Sequence, residues 1–194
     1  MRWHGAKVEH AENATFEEHD ATTPLPFRDE SVDYINLSLA QSFLLKEQWP
    51  RLLAECRRIL RPGGWLRSVE WIALQTNSQA HRKLNRMFSL ALEKEGRRYV
   101  ELAPFLLPLL KDAGLAATPL TIQVIDFSED APAHTVLAED SYVGAHILVS
   151  FLVKHGVASE EEAKQTIEEM QRDMMLPGYY ALVLLSDISA QKPT

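Results

Sequence analysis

Apolar and polar positions along the chain switch period several times, and each switch predicts an element. Residues Val32–Leu39 set Val32, Tyr34, Ile35, Leu37 and Leu39 in a short β-branched and aromatic run, which predicts a buried strand. Leu52, Leu53, Cys56, Ile59 and Leu60 then recur at helical spacing. Pro62-Gly63-Gly64 is expected to stop that helix, since proline cannot continue it and glycine supplies positive φ. Trp65–Trp71 reads as the following strand.

Helical spacing dominates the second half. Leu84, Met87, Phe88, Ala91 and Leu92 form one stripe, which predicts a helix from about Ser78 to Glu95. A second helix over Leu102–Ala113 ends at Gly114. Leu120, Ile122 and Val124 alternate with Thr121 and Gln123, predicting a strand over Thr118–Phe127. Val136–His155 reads as a helix with Val143, Ile147, Leu148, Phe151 and Leu152 on its core side. Ser159 before Glu160, Glu161 and Glu162 is a helix start, because the hydroxyl caps free amides and the acids suit the positive end of the dipole. That helix runs to about Met175, Pro177-Gly178 breaks it, and Tyr179–Ile188 is the last strand. Towards the N-terminus the signals weaken. Residues 4–12 read as a short helix, Thr15–His19 as a short, half-charged strand ending at Asp20, and Thr22–Glu30 as a turn.

Composition narrows the function. With 194 residues, 46% of them hydrophobic, the chain can bury one sizeable core, and no linker or repeat divides it, so a single domain over 1–194 is expected. The 20 basic and 27 acidic residues give a formal charge of −7, which argues against a nucleic-acid surface. A single cysteine, Cys56, excludes an internal disulfide and a CxxC site, and its helical position suits a small core residue. The N-terminus lacks a signal-peptide apolar region, and the apolar runs near Phe105–Leu110 and Ala181–Leu185 are too short for a bilayer. A cytoplasmic protein without membrane contact is therefore expected.

One series carries more than composition. Asp20-Ala21 is followed by Leu25-Pro26-Phe27, then Ser31-Val32-Asp33-Tyr34, a helix with Glu55 and Arg57-Arg58, and Arg61-Pro62-Gly63-Gly64. In that order these residues resemble the middle of a class I S-adenosylmethionine-dependent methyltransferase of the small-molecule type. The resemblance implies an α/β Rossmann-like sheet of about five strands, helices on both faces, and a helical insertion between the last two strands. It also implies a missing part: residues 1–19 contain only Gly5 and leave no room for the family's Gly-rich first βαβ unit. Val32–Leu39 would then be an open sheet edge. A homodimer through residues 1–45 is expected to cover it, with the helices after residue 75 adding to the interface.

The resemblance assigns Asp20 and the Ala21 amide to the adenine edge of S-adenosylmethionine, and Leu37 and Ser38 to its methionine end. Without the first unit the chain alone is expected to bind that cofactor weakly or not at all. Ligands of open α/β sheets sit beyond the carboxyl ends of strands, which places Gln41, Glu70 and Trp71 at a substrate cleft. An acid and an indole there would suit a cation, and Trp71 could equally be a lid over the core. Asp20 has a bland reading too, as a cap on the Thr22-Thr23 turn. Glu55 and Arg58 read as partners in helix-to-loop ion pairs. No metal set is demanded by the spacing, and no GxSxG, HExxH or P-loop is present. The expected function is methyl transfer from S-adenosylmethionine to a small molecule. Two other functions compete with it: a hydrolase using Asp20, Glu70 and His19 for acid–base chemistry, and a non-catalytic dimerising remnant.

Overall fold

The computed structural model describes residues 13–97 and 102–194. The helix read at 4–12 lies outside them. Five strands form one sheet: β1 Val32–Ser38, β2 Leu60–Thr76, β3 Ala116–Ala117, β4 Thr121–Asp126 and β5 Ala181–Gln191. The order is β1-β2-β5-β3, with β4 also on β5. β1 runs parallel to β2, and β5 runs antiparallel to β2, β3 and β4. Five helices accompany them: α1 Trp49–Ile59, α2 Gln79–Lys94, α3 Leu102–Asp112, α4 His134–Lys154 and α5 Glu160–Met174. The expected α/β sheet, and a helical insertion between its last two strands, are what the chain forms.

Each face of the sheet carries its own core. Trp49, Leu52, Leu53 and Cys56 of α1 and Leu102, Leu106 and Leu110 of α3 meet Leu60, Leu66, Ile188 and Ala190 on one face. On the other, Leu84, Met87 and Ala91 of α2, Ala138, Ala145 and Leu152 of α4, and Ala163, Ile167 and Met170 of α5 meet Leu74 and Ala181. Burial pushes the Cys56 thiol up to about 12, so it is an inert core residue, as read.

A bulge lets β2 serve both cores. Trp71 pairs with Leu185 and Ala73 with Leu184, so Ile72 is the extra residue. Before it the even positions Leu66, Ser68 and Glu70 face α1 and α3; after it Leu74 joins the opposite face together with Trp71.

Several elements differ from the reading of the sequence. Thr15–His19 is not a strand; its side chains are exposed, and Phe16 is its single apolar residue among charged and polar neighbours. α1 stops at Ile59, where the Leu60 amide bonds the Cys56 carbonyl and the backbone turns extended. Pro62-Gly63-Gly64 lies inside β2 instead, shifting its register against β1 between Val32 and Tyr34. Gly64 is required there, because a Cβ would lie 2.9 Å from the Arg61 carbonyl oxygen. β2 extends to Thr76, five residues beyond the expected Trp71. Pro119, which has no N–H to donate, separates β3 from β4. β1 forms, but as an edge strand and not a buried one: Tyr34 is 53% exposed. α4 keeps part of its expected core face, with Leu152 buried and Phe151 packed on the core, while Val143 and Ile147 turn outward and Ala138 and Ala145 inward. By length and a mean hydropathy of 1.4, α4 could also cross a membrane, which the short apolar runs did not foreshadow.

Candidate functional site

The end of β1 and the middle of β2 open onto one cleft. Ser38 and Leu39 follow β1, Val69 and Trp71 lie in β2, and α2 and α4 close the opposite side with His81, Phe88, Asp140 and Ser141. The cleft has two lobes of about 410 and 260 Å³, joined at Leu39, Trp71, His81, Asp140 and Ser141. Volumes of this size suit small organic ligands. Apolar groups dominate the walls.

The turn from β1 into the cleft is strained and held. Leu39 sits in the left-handed region at φ 52°, costly for a side chain of its size. Its amide donates to the Val69 carbonyl at 2.9 Å, and its carbonyl accepts from the Ser42 amide at 3.0 Å and the Ser42 hydroxyl at 2.7 Å. Beneath it the Glu70 carboxylate accepts the backbone amides of Ala40 and Gln41 and the Ser68 hydroxyl at 3.2, 3.1 and 3.0 Å. Glu70 is fully buried, and burial raises its pKa against the opposing pull of these three donors. It is therefore no cleft acid: its side chain faces α1 and α3 and props the turn. Gln41 and Trp71 do come together, the Gln41 Nε2 donating to the Trp71 carbonyl at 3.2 Å. Trp71 packs on the core as well as lining the cleft, combining the two roles read for it.

His81 was not singled out in the sequence. Ser78 caps α2 by accepting the His81 amide at 2.9 Å, which places this ring against the sheet. Its Nδ1 lies 2.9 Å from the Tyr179 hydroxyl, and burial lowers its pKa to about 4, so the ring is neutral at physiological pH. The only sequence signal was the cap three residues upstream, because neither His81 nor Tyr179 belongs to a recognisable motif.

The residues assigned to S-adenosylmethionine are divided. Ala21 and Leu37 pack beside the α1 core, while Ser38 lines the cleft on the opposite face. Asp20 Oδ1 accepts the Thr22 amide at 2.8 Å and the Thr22 hydroxyl at 2.7 Å, and these bonds lower its pKa. The turn-capping role read for it is thus filled. Asp20 and Ser38 are both exposed, and among the described residues no other strand flanks β1 beside them. These residues offer a base edge and a strand end, and they do not fit the whole cofactor. His19 bonds only to Thr23 and Pro24 near Asp20, far in the chain's contacts from buried Glu70, so no acid–base site forms from Asp20, Glu70 and His19. Among the described residues no group of three His, Cys, Asp or Glu side chains could hold a metal.

The turn at Leu25-Pro26-Phe27 is clamped by α1. Glu55 accepts the Leu25 amide at 2.9 Å, and Arg58 donates to the Leu25 and Phe27 carbonyls and to Glu55 and Asp29. The Arg58 guanidinium holds Glu55 at about 2. The expected helix-to-loop pairs are present, and they explain why these distant residues occur as one series.

Comparison with known proteins agrees with that series. A family model described as a methyltransferase domain matches residues 3–68. A candidate methyltransferase from Bacillus halodurans C-125 superposes with a TM-score of 0.51 at 19% identity, over 91% of this chain and 71% of that one. The YcgJ protein from Bacillus subtilis gives 0.52 at 18% identity, over 94% and 73%. No curated protein matches the chain. The first third thus matches methyltransferase-domain sequence, the fold is similar to the Rossmann-like fold of a methyltransferase, and the hydrolase reading finds no support in either comparison.

Proposed function

We propose that this methyltransferase-family chain forms the acceptor side of methyl transfer from S-adenosylmethionine to a small molecule. The cleft beyond the end of β1 carries this reading, because ligands of open α/β sheets sit beyond the carboxyl ends of strands, and Gln41 and Trp71 come together there over a held turn. The chain's own contribution is binding and orientation, since an in-line displacement depends chiefly on position. Incubation of the purified protein with methyl-tritiated S-adenosylmethionine and a small-molecule extract tests the reading. Label transferred to a small product supports it; label that stays on the cofactor across the extract counts against it.

A homodimer belongs to the same proposal. β1 presents an unpaired edge among the described residues, and Tyr34 and Trp65 lie exposed beside it. Free strand edges favour pairing with another chain, and a second copy placed there would cover them through the N-terminal quarter.

A further inference from the structure

We propose that the cleft between the end of β1, the middle of β2 and helices α2 and α4 binds an uncharged, mainly apolar ring compound through one hydroxyl group, which accepts from His81 Nε2 and donates to Gln41 Oε1. The inference rests on the acceptor reading of this cleft and specifies what occupies it.

The polarity of His81 follows from its hydroxyl partner. The Tyr179 hydroxyl lies 2.9 Å from His81 Nδ1. In the proposed site Tyr179 donates to Nδ1, which puts the proton of the neutral imidazole on Nε2. His81 lines both lobes, and no hydrogen bond to Nε2 occurs among the described residues. The cleft therefore has a fixed N–H donor.

An acceptor stands in the same wall. Gln41 is 1% exposed, its Nε2 is committed to the Trp71 carbonyl, and its Oε1 is buried with no hydrogen-bond partner. A buried carbonyl left unmet is costly, and a ligand hydroxyl would meet it. A group that both donates and accepts matches the two, as a hydroxyl does. Anions are poorly served, since no lysine or arginine lines either lobe and Glu70 is turned to the opposite face. Asp140 stands where the lobes join but is solvent-exposed, so it offers a cation only a screened partner. Trp71, Phe88, Leu84 and Leu148 supply flat and branched apolar surface for a ring.

Titration of the protein with naphthol, methylnaphthalene and naphthalenesulfonate at neutral pH, without S-adenosylmethionine, tests the proposal. Naphthol is expected to saturate one site, with methylnaphthalene about tenfold weaker, the worth of one good hydrogen bond, and the sulfonate weaker again. His81→Phe and Gln41→Leu should each bring naphthol down to the level of methylnaphthalene, and His81→Gln, which keeps a side-chain N–H, should restore it. Nitrogen NMR should show His81 as the Nε2–H tautomer. Equal binding of naphthol and methylnaphthalene, indifference to His81→Phe in a folded variant, preference for the sulfonate, no binding, or an Nδ1–H tautomer would each overturn the proposal. Because no cofactor is present, a failure of methyl transfer is read separately from a failure of binding.

Discussion

Glu70, wholly out of solvent, accepts the backbone amide of Gln41 at 3.1 Å, so a residue of the middle strand fixes the turn that carries a cleft side chain. Glu70→Ala would strand the Ala40 and Gln41 amides and the Ser68 hydroxyl. A loss of about 3 kcal/mol in urea unfolding is expected, within the range for unmet buried donors. Glu70→Gln should cost less. It should also flatten the pH dependence: the folded pKa of Glu70 is raised above 4.5, so its ionisation erodes stability as pH climbs from there. An unchanged midpoint in Glu70→Ala would show that the turn stands without it.

His81 makes the opposite contribution. Its folded pKa of about 4 lies below the ordinary 6.5, so the unfolded chain binds more protons between these values. Stability is complete above pH 6.5 and falls as pH drops towards 4, by about 3 kcal/mol from this residue. Chemical denaturation across that window in wild type and His81→Gln measures it, and superimposable profiles would contradict a buried neutral imidazole.

Leu39 offers a test of backbone strain. Its left-handed φ of 52° costs about 1 kcal/mol, which Leu39→Gly would recover. The variant should unfold at an equal or higher midpoint while losing apolar wall from the cleft. A midpoint lower by more than that amount would mean the side chain contributes more than its conformation costs.

The clamp on the Leu25–Phe27 turn depends on an ionised Glu55. Because Arg58 holds this carboxyl at about 2, against an ordinary 4.5, its contribution is present above pH 4.5 and disappears as pH falls towards 2. Arg58→Met should release residues 13–30 at neutral pH, seen as faster proteolytic cutting there while the α1 core stays protected from hydrogen exchange. Equal cutting rates in both proteins would place the anchor elsewhere.

Two further measurements concern assembly and cofactor. Calorimetry should find S-adenosylmethionine binding weaker than micromolar for the chain alone, since the Asp20 carboxylate is engaged by Thr22 and Ser38 lines the cleft on the far face of the sheet from Ala21 and Leu37. Sedimentation equilibrium at micromolar concentration should give a dimer, and a clean monomer would remove the second copy from the β1 edge.

Local signals read well where one residue decided the outcome. Ser159 before three glutamates gave the start of α5, where its hydroxyl accepts the Glu162 amide at 3.1 Å, and Gly114 gave the end of α3. The face of α4 read only in part, because Val143, Ile147 and Leu148 are apolar around the helix and only packing decides which side turns inward. The Thr15–His19 strand rests on a weak pattern alone, and its charged residues stay in water. In the candidate site, pairing Glu70 with Trp71 overlooked the pleat: adjacent strand residues point to opposite faces, so both could not enter one cleft. His81 was out of reach, since its partner Tyr179 lies 98 positions away and no spacing links them.

The extra residue at Ile72 reaches further than the cleft. By changing the parity of β2 it lets one unbroken strand send Leu66 beneath α1 and α3 and Leu74 beneath α2, α4 and α5. Neither half can melt while the other keeps its order, because the backbone that one must release is the backbone that the other holds. Two separate apolar clusters should therefore disappear in a single cooperative transition, and deleting Ile72 would turn Leu74 towards α1 and α3 and lower the midpoint of that transition.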